Sequence, residues 1–304
     1  VRYGAIKSYC RLKGFSMNLR FLVLSAILLG AAPVLAFEQE ETFTDLTPGK
    51  DMLDPARLSD LLKRNDVRAM NNIALLWAKG FDGKQSYEEA LKWWKEAARR
   101  GYTVAMNNIG LAYANGHGVT QDYNEAFNWW HQSAFLGNAW AMNSVGDLYE
   151  NGLGTPRNLQ MAMTWYQSAA DQGEPMGMYN VGLLYEAGAS VKRDDAEALA
   201  WFRKSAQRGY ASAMHSIGKM YAEGRAVEAD AVEALAWLSV ADLRYPPEDA
   251  AEAKANRNDI AALSARLDAG QLARVKDRAA AIDVLTTPPK PEPPKPLQPG
   301  EKST

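Results

Sequence analysis

The side chains able to do chemistry are few, and their spacing limits what they can do. Three histidines, His117, His131 and His215, stand far apart with no second ligand at metal-binding spacing. No metal and no cofactor is expected. Ser216-x-x-Lys219 has the spacing of a serine nucleophile with a lysine one helical turn away. The companion Ser-Asp-Asn and Lys-Thr-Gly elements of that chemistry are missing. Paired carboxylates occur at Glu88-Glu89 and Asp194-Asp195, but both pairs open a helical pattern, where capping and the helix dipole account for them. There is no G-x-S-x-G, H-E-x-x-H or phosphate-cradling glycine loop. No catalytic residue is assigned, and a non-enzymatic protein is expected. The alternative is a β-lactam-reactive Ser216/Lys219 pair.

The elements that position these residues repeat. An Ala/Gly-Met pair falls at Ala69-Met70, Ala105-Met106, Ala141-Met142, Gly177-Met178 and Ala213-Met214, a period of 36 residues without insertion or deletion. An aromatic three residues before a glycine follows at Trp77, Tyr113, Tyr149, Tyr185 and Tyr221. A tryptophan recurs at Trp93, Trp129, Trp165, Trp201 and Trp237, each three residues after an alanine. Self-similarity at this period marks a solenoid, in which each unit buries its apolar face only by stacking on its neighbours. The fold class read from it is all-α, an α-solenoid of five units at 66–101, 102–137, 138–173, 174–209 and 210–245.

Each unit reads as two helices. The first carries apolar residues at helical spacing (Ala105, Met106, Ile109, Ala112 and Tyr113 in the second unit) and ends at a glycine able to take the left-handed cap conformation. Its midpoint is always small (Ala74, Gly110, Gly146, Gly182, Gly218), which implies close approach by a neighbouring helix. The second helix opens on Ser86, Asp122, Asn158, Asp194 or Asp230. In four units a glutamate three residues later (Glu89, Glu125, Glu197, Glu233) predicts a reciprocal capping box. Asp54-Pro55 starts an expected N-terminal capping helix over 54–65, preceded by a flexible segment, 37–53. Residues 246–285 are expected to form two C-terminal capping helices, the second opened by Asp268-x-x-Gln271.

The ends carry address and spacer signals. Met17–Ala36 reads as a secretory signal: Arg20, the apolar run Phe21–Leu35, then small Val34 and Ala36 at a cleavage site. The run is shorter than the roughly 20 residues that span a bilayer, so cleavage after Ala36 and a periplasmic or secreted product are expected. Residues 1–16 resemble no targeting element, and Met17 is the expected start. Five basic residues and Cys10, the single cysteine, leave with 1–36. What remains has 29 Lys and Arg against 36 Asp and Glu, a formal charge of −7. That balance argues against nucleic acid and anionic membrane as partners. Seven of the nineteen residues from Thr286 to Thr304 are proline, which reads as an extended, disordered tail.

The pattern Ala-Met-x-Asn-Ile-Gly-x-x-Tyr-x-x-Gly, then Asp-x-x-Glu-Ala-x-x-Trp and Ala-x-x-Gly, resembles the Sel-one-like repeat family, cousins of tetratricopeptide repeats, across residues 66–245. The resemblance implies a right-handed superhelix of paired helices that mediates protein–protein contacts, often in signalling, envelope assembly or secretion. Some secreted relatives carry a cysteine pair in each repeat and are linked to penicillin binding and β-lactam hydrolysis. This chain has no cysteine in any repeat.

A turn of about 100° per residue puts Val104, Asn107, Asn108, Leu111 and Asn115 opposite the apolar face of their helix. In solenoids of this kind the first helices line the concave surface, so the stripe is expected to form a groove that holds an extended protein segment. The residues assigned to it are Asn71, Asn107, Leu111, Trp140, Asn143, Asp147, Met176, Tyr179, Leu183, His215 and Lys219. The amides at Asn71, Asn107 and Asn143 either bond a partner's main chain or bond between repeats. Trp140, Met176 and Tyr179 are the expected apolar anchor. The expected partner is an envelope or secreted protein, met by a monomer.

Overall fold

A computed structural model describes residues 60, 62–80 and 85–287 of the chain. The signal-like segment, the segment 37–53, most of the expected N-terminal capping helix and the tail beyond Thr287 lie outside these residues; Thr286, expected to open the tail, is instead buried at the end of the last helix. Ten helices alternate through the repeats: α1 (Val67–Lys79), α2 (Tyr87–Ala98), α3 (Thr103–Asn115), α4 (Tyr123–Phe135), α5 (Ala139–Asn151), α6 (Leu159–Asp171), α7 (Pro175–Ala187), α8 (Asp195–Ala206), α9 (Ala211–Glu223) and α10 (Ala231–Arg244). A short 3-10 turn, Pro247–Asp249, leads to α11 (Ala250–Ser264) and α12 (Ala269–Thr286). The described residues contain no strand, so the chain is all-α. Each odd helix packs most closely on the even helix that follows, and each even helix packs next on the first helix of the following unit. This is a solenoid, as the period requires.

The core of each unit is one large side chain laid over one small residue. Trp94, Trp130, Tyr166, Phe202 and Leu238 are buried in successive even helices. A Cβ added at Gly110 would lie 2.5 Å from Trp130 Nε1, and one at Gly146 would lie 2.5 Å from Tyr166 Cε1. The same approach recurs between Gly182 and Phe202 and between Gly218 and Leu238. The mid-helix glycine therefore admits a ring from the paired helix, and that burial outweighs a propensity cost of about 1 kcal/mol. The tryptophan register picked out by the period is half-buried at Trp93, Trp129, Trp165 and Trp201 and buried at Trp237; the residue after it fills the core in every unit.

The caps explain the helix boundaries and correct one expectation. Ser86, Asp122, Asn158, Asp194 and Asp230 all accept from backbone N–H groups in the first turn of their helices. Odd helices end on left-handed glycines, Gly80, Gly116, Gly152, Gly188 and Gly224. The reciprocal half of the box is satisfied elsewhere. The cap residue's own N–H donates to the carbonyl of the recurring aromatic: Ser86 to Trp77 (2.9 Å), Asp122 to Tyr113 (3.0 Å), Asn158 to Tyr149 (2.8 Å), Asp194 to Tyr185 (3.1 Å) and Asp230 to Tyr221 (3.0 Å). With that donor taken, two of the glutamates have other partners. Glu89 binds Lys92, and Glu233 accepts from Trp237 and Arg278. The full box forms at Asp268–Gln271, where the cap N–H donates to Gln271 Oε1 at 2.9 Å.

Beyond the repeats, α11 and α12 both pack on α10. Leu263, Val275 and Ile282 join its core, Asn256 donates to the Leu238 carbonyl, and Arg244 pairs with Asp283. Among the described residues no helix is long and apolar enough to cross a membrane.

Candidate partner-binding face

The odd helices present two opposite faces, and the packing consumes much of both. Asn71, Asn107, Asn143 and Asp147, expected to stand outward, are buried, as is Leu111. Their polar groups bond between and within units. Asn108 Nδ2 donates to Asn71 Oδ1 at 3.0 Å, and Asn180 Nδ2 donates to Asn143 Oδ1 at 2.9 Å. Asn107 Nδ2 donates to Asn138 Oδ1 at 2.7 Å, and that oxygen also caps α5 by accepting from the Ala141 N–H. Asn143 Nδ2 reaches Asp147 Oδ2 at 3.2 Å and Met176 Sδ at 3.2 Å. The outward placement is therefore corrected for these five positions. The physical reason is that the next unit's first helix comes close enough to cover them, and a buried amide then needs a partner within the protein. The single-helix projection contained no information about that neighbour.

A narrower strip remains partly open. Trp140 and Met176 on α5 and α7 are half-buried, followed by Tyr179 and Leu183, then His215 and Lys219 on α9. None is wholly free of the fold. The Trp140 ring meets Trp130 edge-on with centroids 5.9 Å apart. Tyr179 tilts against Phe202 at 5.5 Å and Tyr210 at 5.2 Å. His215 is held at both ring nitrogens, Nδ1 with the Tyr245 hydroxyl at 3.2 Å and Nε2 with Asp259 Oδ2 at 2.9 Å. Its imidazole is thus engaged away from the neighbouring Ser216. Burial pushes the Tyr210 and Tyr245 phenols well above their usual range, so both remain neutral hydroxyls and donors. Among the described residues no group of three or more His, Cys, Asp or Glu could hold a metal ion.

One apolar feature escapes the repeat pattern. Phe135 at the end of α4 is 81% exposed, and Leu136 beside it is 54% exposed. They border an open cleft of about 770 Å³ with Met106, Trp129, Gln132 and Arg99. The signal was present in the sequence: the same register holds Arg99, Asp171, Gln207 and the exposed Leu243 in other units, so Phe135 is its one aromatic, and Arg100, Gln172, Arg208 and Arg244 follow them. The unit-by-unit comparison that isolates Trp140 isolates Phe135 as well.

The repeat model described as "Sel1 repeat" matches residues 67–102, 103–138, 141–174, 175–210 and 211–241. Among solved structures, a protective antigen of uropathogenic Escherichia coli strains displaying an SLR fold superposes with a TM-score of 0.67 at 25% identity, over 76% of this chain and 48% of that one. The present chain spans about half the length of that antigen. A Sel1 repeat protein from Oxalobacter formigenes superposes with a TM-score of 0.57 at 28% identity, over 65% of this chain and 82% of that one. No curated protein matches. The family model covers more than half of the chain, over the same helices that build the stacked core, and the chain belongs to the Sel1 repeat family.

Proposed function

We propose that the protein is a non-enzymatic scaffold of the bacterial cell envelope, and that it holds an extended segment of another protein along the open strip of the odd helices. The scaffold architecture is that of its family. The strip is supported by one observation: Trp140, Met176, Tyr179 and Leu183 form a run of large apolar side chains across α5 and α7 that the fold leaves partly open. Side chains of this kind supply most binding energy in protein interfaces. With the asparagine amides bonded inside the solenoid, recognition falls to these apolar groups, with His215 and Lys219 at the α9 end. Export rests on the signal-like Met17–Ala36.

Site-specific photo-crosslinking in the bacterial cell tests this reading. The probe replaces Ala187, an exposed residue ending the α7 strip, with exposed Thr164 on α6 as the control. The expected result is a discrete adduct with an envelope protein from position 187 and none from 164. Equal capture from both positions would remove the support for the strip. Covalent labelling by a fluorescent penicillin, lost in Ser216→Ala, would instead favour an enzyme.

A further inference from the structure

The third unit brings into contact three side chains that occur together in no other unit. Where the other units place Leu75, Leu111, Leu183 and Lys219, it has Asp147. Its Glu150 stands where three others have alanine and the fourth has Glu186, and its Tyr166 where two others have tryptophan. All three side chains are buried. The Tyr166 hydroxyl lies 2.7 Å from Asp147 Oδ1 and 2.7 Å from Glu150 Oε2. A phenol has one proton to donate. Two carboxylates at that distance would leave one oxygen pair with no hydrogen between them, inside a protein interior where an unshared contact of that kind is costly. A second proton on one carboxyl completes the chain.

The surrounding donors say which carboxyl carries it. Asp147 also receives Asn143 Nδ2 on Oδ2 at 3.2 Å and Asn180 Nδ2 on Oδ1 at 3.4 Å, as suits an ionised group. The Glu150 carboxyl has the Tyr166 hydroxyl as its hydrogen-bond partner. We propose that Glu150 is a neutral carboxylic acid at neutral pH, donating to Tyr166, which donates to ionised Asp147, and that loss of this proton in alkali loosens the joint between the third and fourth repeats. The joint is involved because Asn180 and Met176 of α7 meet Asp147 and Asn143 of α5.

The charged groups around the cluster are few. On α6 the ionisable residues are Tyr166 itself and Asp171 at the exposed C-terminal end. The α5–α6 loop brings Arg157, whose Nε donates to the Glu150 carbonyl and whose charge draws the Glu150 carboxyl down. On α4, Asp122 caps its own helix, Glu125 sits in the first turn, and His131 lies against the Phe127 and Trp165 rings. On α7, Glu186 is paired with Arg225, and the other ionisable side chains are Tyr179 and Tyr185. Burial raises both carboxyls, Asp147 the more strongly, against the Tyr166 hydrogen bond to each and the Arg157 charge on Glu150; the pair titrates as one coupled unit, and the amide donors on Asp147 place the shared proton on Glu150. A carboxyl raised in the folded state holds a proton that the unfolded chain has released above about pH 4.3. Its stabilising effect is full below that range and is lost as pH rises through the folded value.

Melting curves of the full chain from pH 5 to pH 9 test the proposal, comparing wild type with Glu150→Gln and Asp147→Asn. Glutamine can donate to Tyr166 as the neutral acid does, at every pH. The wild type should lose melting temperature relative to Glu150→Gln as pH rises, by about 3–5 °C for each unit by which the titration is raised. Asp147→Asn, which turns an acceptor of several donors into a donor itself, should melt lower than wild type at neutral pH. Infrared spectroscopy of wild type at pH 7 should show the carbonyl stretch of a buried neutral carboxyl, and that reading stands even where a variant fails to fold. A pH-independent gap between wild type and Glu150→Gln, a more stable Asp147→Asn, or no neutral-acid band would each overturn the proposal.

Discussion

Trp130→Ala should destabilise the protein by about 3–5 kcal/mol, while Trp129→Ala, one residue earlier, should cost about 1 kcal/mol. The two tryptophans are adjacent in sequence and differ in direction. Trp130 is 1% exposed, seats its ring over Gly110 and donates from Nε1 to the Asn107 carbonyl at 3.1 Å. Truncating it leaves a void against a helix whose glycine cannot fill it, so the cost includes a cavity as well as lost burial. Trp129 is half-buried along the open cleft beside Phe135. Urea unfolding checks the pair through the midpoint at constant slope. Comparable losses in both variants would contradict the assignment of the core to one register.

Asn143→Ala should cost about 2–4 kcal/mol, because it strands partners on both sides. Asn180, itself buried, loses the acceptor that takes its Nδ2 at 2.9 Å. Asp147 loses the amide on Oδ2 and keeps the donors on Oδ1. A peptide-reading amide would behave in the opposite way, with partner capture lost and the unfolding midpoint unmoved. That contrast makes the variant informative about the whole amide ladder, since Asn108–Asn71 repeats the geometry in the first two units.

The features legible in the sequence are those that a single unit determines. The caps at Asp122 and Asp194, the glycine stops at Gly116 and Gly188 and the helix pairing all follow from local residue choice repeated at a fixed period. What was not legible depends on the neighbouring unit. Asn107 reads as outward on a lone helix, yet Asn138 of the next unit takes its amide. Glu125 reads as half of a capping box, yet the Tyr113 carbonyl already holds the cap N–H. The Trp129 register is invariant across the units, while Trp130, Tyr166 and Phe202 vary in type and fill the core. A core position over glycine tolerates different rings of suitable size. A half-buried position beside a neighbour can keep one residue type without being the deepest. The candidate face was legible in part: the period singled out Trp140, Met176 and Tyr179, but their contacts with Trp130, Asn143 and Phe202 come from three dimensions.

Amide hydrogen exchange of the full chain, alone and with the partner captured from position 187, tests the binding face most directly. The expected result is slowed exchange confined to α5, α7 and α9, the helices carrying Trp140, Tyr179 and His215, with α4, α6 and α8 unchanged. Slowed exchange centred on α4 around Phe135, or on α11 and α12, with the odd helices unchanged, would contradict it.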